Sequence, residues 1–386
     1  MANSLSVNTK KILHAIGALV DGAYLWAGAD KGIQTEMQGK NNGGRIYYTI
    51  SDFGDAAISS ISSNDPYSGS ETALTANNIT QRDVQVEIRD ARIMISTTAF
   101  ERMVTSAGEV EANLQIGQKL AKKAIKAIIP DDIASIRNVF VGTDYKPFQL
   151  AGAYLKSYTE GKLYGFMDWQ AWGTLTAKGQ QAVPCVLARP EFGKELVGKW
   201  SLIDELRVIP DIPTIDVVAM PSGLTATIAS NILTISTSTA GAGVAAGKVA
   251  IVKVAGIKNT DTNGNTAGEA VFVLDNTSGS SAKASFTFSM VGLTGTAGAV
   301  SDVVSSTDTG TYAGCIIRAE KAQVFGSADK CACESAKYSK ESYEGFNVHC
   351  NEESDVSNLT DYKRYDLVLA SKLVEPRAAA LVYIKL

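Results

Sequence analysis

The chain has 386 residues, of which 45% are hydrophobic, so it can bury a sizeable core and is long enough for two or three domains. Its formal net charge of −4 argues against a dedicated DNA-binding protein, because such proteins carry a clear positive excess. No apolar run approaches the roughly 18 residues that a membrane-spanning helix needs, and the five cysteines are too few for a disulfide scaffold, which suits a reducing cytoplasm.

Residues 1–30 combine a polar start with a short amphipathic helix that ends near Gly28. Lys10 and Lys11 stand before ILHAIGALV, as in a secretory signal, but the helical spacing of the apolar residues and the charge of Asp21 favour a helix. This segment has too little apolar surface to fold alone. We therefore predict an N-terminal arm that lies on another part of the protein or on another copy of it.

Residues 31–97 hold two strand-like segments around a polar excursion. GRIYYTIS and DVQVEIRDARIMIS alternate between apolar and polar residues, as half-buried strands do. The stretch between them is rich in Ser, Asn, Gly and Thr, and a loop of that length is usually disordered or functional. Two interpretations stay open here: an extended two-stranded arm that reaches a neighbouring molecule, and an ordinary surface loop.

A long amphipathic helix is predicted over residues 98–128, as the main part of a segment 98–140. Apolar or small residues recur every three or four positions, Thr98 and Glu101 fit a capping box, and Pro130 stops the helix. At about 1.5 Å per residue the helix would be about 45 Å long. Its basic stripe is either a solvated face or a contact with nucleic acid or a neighbouring subunit. The stripe consists of Lys119, Lys122, Lys123 and Lys126.

Helices and strands are expected to alternate from residue 131 to residue 220. A short helix capped by Asp131 or Asp132 should run to Phe140, and residues 148–181 are expected to be mostly helical. VPCVLA predicts a buried strand, followed by a proline and a short helix, EFGKELVGK. ELRVIPDIP and IDVVAMP predict two further strands. Strands mixed with helices in this way indicate an α+β domain.

The composition changes at about Met220. Residues 221–314 are rich in Ser, Thr, Gly and Ala and almost free of charge. TATIA, NILTIS, KVAIVKV, EAVFVL and ASFTFSMV alternate and are separated by turn clusters, which predicts a small all-β module of five or more strands. The low complexity of GLTGTAGAVSDVVSSTDTGT predicts a flexible linker. Because α+β sequence resumes at Cys315, we interpret the module as an insertion between two halves of one domain.

Candidate chemical sites are few. Three thiols and one imidazole could hold zinc, yet C-x-C and adjacent H-C are not the usual zinc spacings, and neighbours on a strand point to opposite faces, so ordinary thiols are the alternative. These residues are Cys331, Cys333, His349 and Cys350. His14 is the only other histidine, DTNGN lacks the further ligands of a calcium loop, and no phosphate-loop, dinucleotide or nucleophile-elbow motif occurs. We predict no catalytic, cofactor or metal site and no enzymatic activity.

The order of these parts resembles the major capsid (coat) proteins of tailed double-stranded DNA bacteriophages, which have the HK-ninety-seven-type fold. That family has an N-terminal arm, an extended β-hairpin loop, a long spine helix in a peripheral domain, and an axial domain. VPCVLARPEFGKELVG and RVIPDIP look like the strand, proline, short helix and next strand of the axial domain, and VEPRAAALVYIKL is similar to the family's closing strand. The uncharged module looks like the domain inserted in P-twenty-two-type coat proteins.

The resemblance implies an α+β capsid fold in six segments. They are the arm 1–30, the hairpin loop and peripheral strands 31–97, the spine helix 98–140, the first axial part 141–220, the inserted all-β domain 221–314, and the closing axial and peripheral part 315–386. Lys31 and Lys40 lie near the hairpin, but no lysine and asparagine setting assigns an isopeptide crosslink.

The implied function is self-assembly into pentamers and hexamers of an icosahedral phage head, a virion shell assembled in the host cytoplasm, with maturation of a procapsid. The implied partners are other copies of the chain, scaffolding and portal proteins, and packaged double-stranded DNA through weak non-specific contacts, with no membrane. Two alternatives stay open. One is an encapsulin-like nanocompartment shell protein, and the other is a β-rich phage tail or adhesin module in which residues 221–314 bind the ligand.

Overall fold

We describe the fold from a computed structural model of the chain. The described residues are 45–52, 80–98, 133, 136, 138–158, 161–177, 185–187, 197–200, 202–209, 212–237, 243–259, 270–290, 293–328, 337–343, 346–355, 357 and 360–386. Most of them lie in strands. No helix within these ranges has both the length and the apolar character needed to cross a membrane.

The elements of the first half are, in chain order, β1 Arg45–Asp52, β2 Thr80–Thr98, β3 Asn138–Gly142, α1 Lys146–Tyr158, β4 Leu163–Asp168, α2 Trp169–Ala177, β5 Cys185–Leu187, β6 Val197–Trp200, β7 Ile203–Ile209 and β8 Ile215–Val218. Those of the second half are β9 Leu224–Ala229, β10 Ile232–Thr237, β11 Val249–Val254, β12 Ile257–Asn259, β13 Ala270–Asp275, β14 Ser285–Ser289, β15 Leu293–Gly295, β16 Val300–Asp302, β17 Gly310–Ala319, β18 Gln323–Ser327, β19 Lys337–Tyr343, β20 Phe346–Asp355, β21 Thr360–Leu373, a 3-10 turn Pro376–Ala378 and β22 Ala379–Lys385.

A sheet of 11 strands forms the centre of the described structure. β17 has β22 along one side, and β8 and β4 follow each other along the other side. β22 pairs in turn with β3 in parallel. Its residues are apolar and buried except at the very end, as expected for a strand covered on both faces. Phe148 and Leu155 of α1 and Leu175 of α2 pack into the same core.

β11 separates two hydrophobic clusters. Val249 and Ile251 belong to the main core, whereas Ala250, Val252 and Val254, which alternate with them, belong to a second cluster. That second cluster lies between β11 and β13 on one side and a three-stranded sheet, β14-β10-β9, on the other. The strands predicted from TATIA, NILTIS, KVAIVKV, EAVFVL and ASFTFSMV are therefore confirmed. However, β11 and β13 also extend the central sheet through β8, a connection that the alternation alone did not predict.

The second sheet joins the early strands to strands near the end of the sequence, in the order β1-β2-β21-β20-β19. β1 and β2 confirm the strands predicted from GRIYYTIS and DVQVEIRDARIMIS, and they pair with each other in antiparallel register. YDLVLASKLV lies in β21 up to Leu373.

Strands occupy parts of two segments that were predicted to be helical. Residues 138–140 were expected to end a short helix, but they begin β3, because Asn138 pairs beside β22 and its Nδ2 donates to the carbonyl of Ala379 at 2.9 Å. Residues 148–181 were expected to be mostly helical, and α1 and α2 cover most of the described residues of this range, but the strand β4 lies between the two helices. All six residues of β4 are buried, and a short apolar run of this kind has no period that separates strand from helix.

Two further predictions are wrong at residues that the structure describes. The helix predicted from EFGKELVGK cannot extend to its last residues, because Val197–Trp200 form β6, which pairs with β7. GLTGTAGAVSDVVSSTDTGT is not a flexible linker. It contributes β15, β16 and the start of β17, and Val304 within it is buried in the main core. β6 pairs with its neighbours β5 and β7, whereas β15 and β16 pair with the more distant β12 and β11. Composition does not report such pairing.

Several predicted features lie outside the described residues. They are the N-terminal arm, the excursion over 53–79, the spine helix with its basic stripe, and the DTNGN turn. β2 ends at Thr98, the residue predicted to cap that helix.

Candidate assembly interface

A two-stranded ribbon leaves one edge of the second sheet. Residues 80–87 of β2 pair with β1, and residues 88–98 of the same strand pair with β21. Among the described strands, none pairs with the other edge of β2 over residues 80–87. Eight residue pairs at about 3.4 Å per residue make the ribbon about 27 Å long. The ribbon is thus a two-stranded extension of the sheet.

The ribbon is anchored because β2 is one continuous strand of 19 residues. Its second half forms eleven register pairs with β21, from Ile88 with Ala370 to Thr98 with Thr360. Leu369 and Leu373 of β21 are buried in the main core. A displacement of the ribbon would therefore act on a strand that is held by the core.

A buried polar junction supports β21 from its opposite side. β18 and β20 both pair with that side of β21, one after the other along its length. At the point where they meet, the backbone N–H of Asn347 donates to Ser327 Oγ at 2.9 Å, and Asn347 Nδ2 donates to the carbonyl of Ala328 at 3.1 Å. The backbone N–H of Ala328 donates to the carbonyl of Val368 at 3.0 Å. These hydrogen bonds hold the end of β18 next to the start of β20, although the two strands are separate segments of the chain.

His349 completes this junction. It is fully buried, and its Nε2 lies 3.0 Å from the carbonyl oxygen of Ala328. Because a carbonyl only accepts, Nε2 carries the hydrogen. In the neutral ring, Nδ1 then accepts from the hydroxyl of Tyr338 at 2.7 Å. Ala328 and Tyr338 stand on either side of residues 329–336, so the imidazole joins the two ends of that segment.

These contacts bear on the zinc hypothesis. Both ring nitrogens of His349 already have hydrogen-bond partners, and Cys350 is buried in the main core on the opposite face of β20. The structure therefore does not place these two neighbours at one site. Cys331, Cys333 and His14 lie outside the described residues, as do Asp131 and Asp132. Within the described ranges, no group of three or more His, Cys, Asp or Glu side chains could hold a metal ion.

Three described groups with shifted pKa values have structural explanations. Burial raises the pKa of the Cys315 thiol and that of the Tyr383 hydroxyl, both of which lie in the main core. The pKa of Asp216 is lowered because its carboxylate accepts a hydrogen bond from Thr311 and a charged one from Lys248. This last cluster ties β8, β17 and the residue before β11 together, where the strands of the uncharged region join the central sheet.

No protein-family model matches the sequence, and no curated protein matches it. Solved structures that are similar in fold include the following three. The capsid of the cyanophage P-SCSP1u has a TM-score of 0.44 at 10% identity, over 90% of this chain and 85% of that chain. The virus-like particle from Pyrococcus furiosus has a TM-score of 0.43 at 7% identity, over 97% of this chain and 96% of that chain.

The capsid of Ralstonia phage GP4 has a TM-score of 0.43 at 10% identity, over 92% of this chain and 87% of that chain. With identities and TM-scores this low, no residue role is transferred from these proteins to the present chain.

Proposed function

We propose that the protein is the major capsid protein of a tailed double-stranded DNA phage, which assembles into pentamers and hexamers of a closed icosahedral shell. The ribbon formed by β1 and residues 80–87 of β2 is the observation that carries this proposal. It agrees with the order of parts in the sequence, in which two strands bracket a long polar excursion before the predicted spine helix.

The physical reason is that a two-stranded ribbon is only marginally stable in water. It gains stability when a third strand or a packed surface covers it. In this proposal the covering surface belongs to a neighbouring copy of the chain. Because the same contact repeats around closed symmetry axes, each copy both covers a ribbon and extends one, and the assembly stops when the shell is complete.

The anchor of the ribbon fits this role. β2 continues from the ribbon into the sheet, where β21 and the buried junction around His349 hold it. A neighbour that binds the ribbon therefore binds the subunit core through one continuous strand. Such a contact fixes the position of one subunit core relative to the next, and it requires no catalytic step.

The remaining partners follow from the same proposal. Scaffolding and portal proteins would act during assembly of the shell in the host cytoplasm. Packaged DNA would touch the inner surface through weak, non-specific contacts, which suits a chain with a formal net charge of −4.

Shortening the predicted arm tests the proposal. Deleting residues 65–75, which belong to the excursion outside the described residues, should leave a folded subunit that does not form shells. Replacing the same residues by a Gly-Ser segment of equal length is the control for simple loss of chain length. We expect circular dichroism and the melting temperature of the unassembled subunit to match those of the parent chain, while electron micrographs show no shells. Normal shells from the deletion variant would contradict the proposed role of the arm.

A further inference from the structure

The helix α2 exposes a face whose residues are not explained by contacts within the chain. Trp169, its first residue, is 47% exposed, and Gly173 lies one turn further along the same face. A glycine inside a helix lowers helix stability relative to alanine, yet a Cβ at position 173 would meet no described atom within 4 Å. Its φ is not positive. Nothing in the described part of the chain therefore requires this glycine.

A second exposed apolar residue, Leu202, lies in the turn that joins β6 to β7 and is 42% exposed. Turns usually carry Gly, Asn, Asp, Ser or Pro, so the turn itself does not favour leucine. The Cβ of Leu202 lies 3.1 Å from the point that a Cβ on Gly152 would occupy, so one side of the leucine rests on α1. The other side faces solvent.

The strand register places these two surfaces at opposite ends of the same pair of strands. β4 and β7 are parallel neighbours. Leu202 precedes the first residue of β7, whereas Trp169 follows the last residue of β4. The six residues of β4 span about 20 Å at about 3.3 Å per residue. Leu202 therefore meets α2 only if a second copy of the chain brings it there.

We propose that Leu202 of one copy packs against the α2 face of a neighbouring copy, between Trp169 and Gly173. Leu202 is the projecting group, and the missing side chain at position 173 leaves the space that receives it beside the indole ring. The contact is heterologous, because it joins two different surfaces, and it can therefore repeat from copy to copy until a ring closes. This inference rests on the proposed function, because the five- and six-membered rings of a shell supply the neighbouring copy.

The charges near the two surfaces are compatible with this contact. α2 contains no charged residue. Beside Leu202, the ammonium group of Lys156 lies 3.1 Å from the carboxylate of Asp204, so these two charges offset each other. An uncharged, apolar helix face suits the leucine of another copy better than it suits nucleic acid, whose phosphates bind cationic side chains.

The contact is too small to hold two copies together by itself. A fully buried tryptophan contributes about 150–250 Å², whereas a specific interface usually exceeds about 1,000 Å² in total. The contact therefore forms where the ribbon and other surfaces already hold copies side by side, because such an assembly raises its effective concentration. It orients neighbours within a ring and does not by itself produce a stable dimer.

Cysteines at the two surfaces test the contact directly. Gly173→Cys, Leu202→Cys and the double variant are made in the full-length chain, assembled, and treated with a short bis-maleimide reagent. Denaturing gels compare them with the parent chain, which has five native cysteines. We expect the double variant to give a ladder that ends at five and six linked chains, because each copy joins two neighbours. A mixture of the two single variants should give dimers, and each single variant alone should match the parent chain.

The contrary outcomes separate this inference from the proposed function. Dimers from either single variant alone would mean that identical surfaces meet, and they would overturn the proposal. Shells of the double variant without a ladder would also overturn it, and would leave the shell function standing. A ladder from small, open particles would support the α2 contact and contradict the shell function.

Replacing Gly173 by leucine provides an independent readout. Gly173→Leu should raise the melting temperature of the unassembled subunit, because leucine favours a helix and no described atom opposes its Cβ. The same variant should lower the yield of shells by about tenfold, because the added side chain overpacks the contact. Ala153→Leu, at an exposed position of α1, is the matched control and should leave the yield unchanged. Equal yields from the two variants, or a lower melting temperature of Gly173→Leu, would overturn the proposal.

Discussion

Replacing His349 by alanine tests the buried junction that supports the ribbon strand. The imidazole is fully buried, so its removal leaves a cavity between β18 and β20. The hydroxyl of Tyr338 loses its acceptor, but Tyr338 is half-buried and can reach water. The carbonyl of Ala328 keeps the hydrogen bond from Asn347 Nδ2 at 3.1 Å.

The expected loss of stability follows from these contacts. A buried group that loses its hydrogen-bond partner costs about 1–3 kcal/mol, and a large-to-small replacement in a core costs about 2–5 kcal/mol. Because the hydroxyl and the carbonyl both retain an alternative partner, most of the cost comes from the cavity. We expect the free energy of unfolding to fall by about 2–4 kcal/mol.

Urea unfolding of the unassembled subunit, followed by circular dichroism, measures this difference. Glu353→Ala on the same strand is the control, because Glu353 is exposed and surface replacements usually stay within about 0.5 kcal/mol. If His349→Ala and Glu353→Ala unfold at the same urea concentration with equal slopes, the junction does not support β21 and the reasoning is refuted.

Three further replacements probe other parts of the fold. Asp216→Asn should cost under about 1 kcal/mol, because the ion pair with Lys248 is exposed to water. Because the pKa of Asp216 is lowered in the folded state, its carboxylate adds its full stabilisation above the ordinary aspartate pKa of about 4. That stabilisation is lost as the pH falls through the lowered pKa. Acid unfolding curves of Asp216→Asn should therefore lack this pH-dependent part of the free energy of unfolding. Ile251→Ala should cost about 2–5 kcal/mol and shift a single thermal transition of the whole chain, because β11 serves both hydrophobic clusters. Asn276→Ala should cost about 1–3 kcal/mol, since the buried amide donates to the carbonyls of Val244 and Ser281 at 2.8 Å each.

Each of these expectations has a contrary result. If the free energy of unfolding falls with pH in the same way in Asp216→Asn and in the parent chain, the ionised carboxylate does not stabilise the fold. A calorimetric trace of Ile251→Ala with two separate peaks would show that the second cluster unfolds by itself. For Asn276→Ala, an unchanged melting temperature would mean that water replaces the amide at no cost.

The sequence predicted the strands in which one face is apolar and the other is polar. GRIYYTIS, NILTIS and ASFTFSMV alternate, and each of them lies in a strand of the structure. KVAIVKV is apolar at consecutive positions, because β11 is buried against a different cluster on each face. That pattern indicated a strand but did not reveal that it belongs to the central sheet.

The missed elements depend on partners far away in the sequence. β3 pairs with β22, and β4 lies between β17 and β7, so neither can be recognised from its own residues. The junction at His349 has the same cause, since its partners Ala328 and Tyr338 become neighbours only when β18 and β20 meet along β21. The two strands of the ribbon were predictable from their alternation, but the sequence left open whether they carry an extended arm or an ordinary surface loop.

Electron microscopy of the purified full-length chain under assembly conditions tests the central claim most directly. The proposed function predicts closed particles of uniform diameter, with rings of five and six subunits in the averaged shell. Discrete monomers or small oligomers across the same range of protein concentration would contradict it.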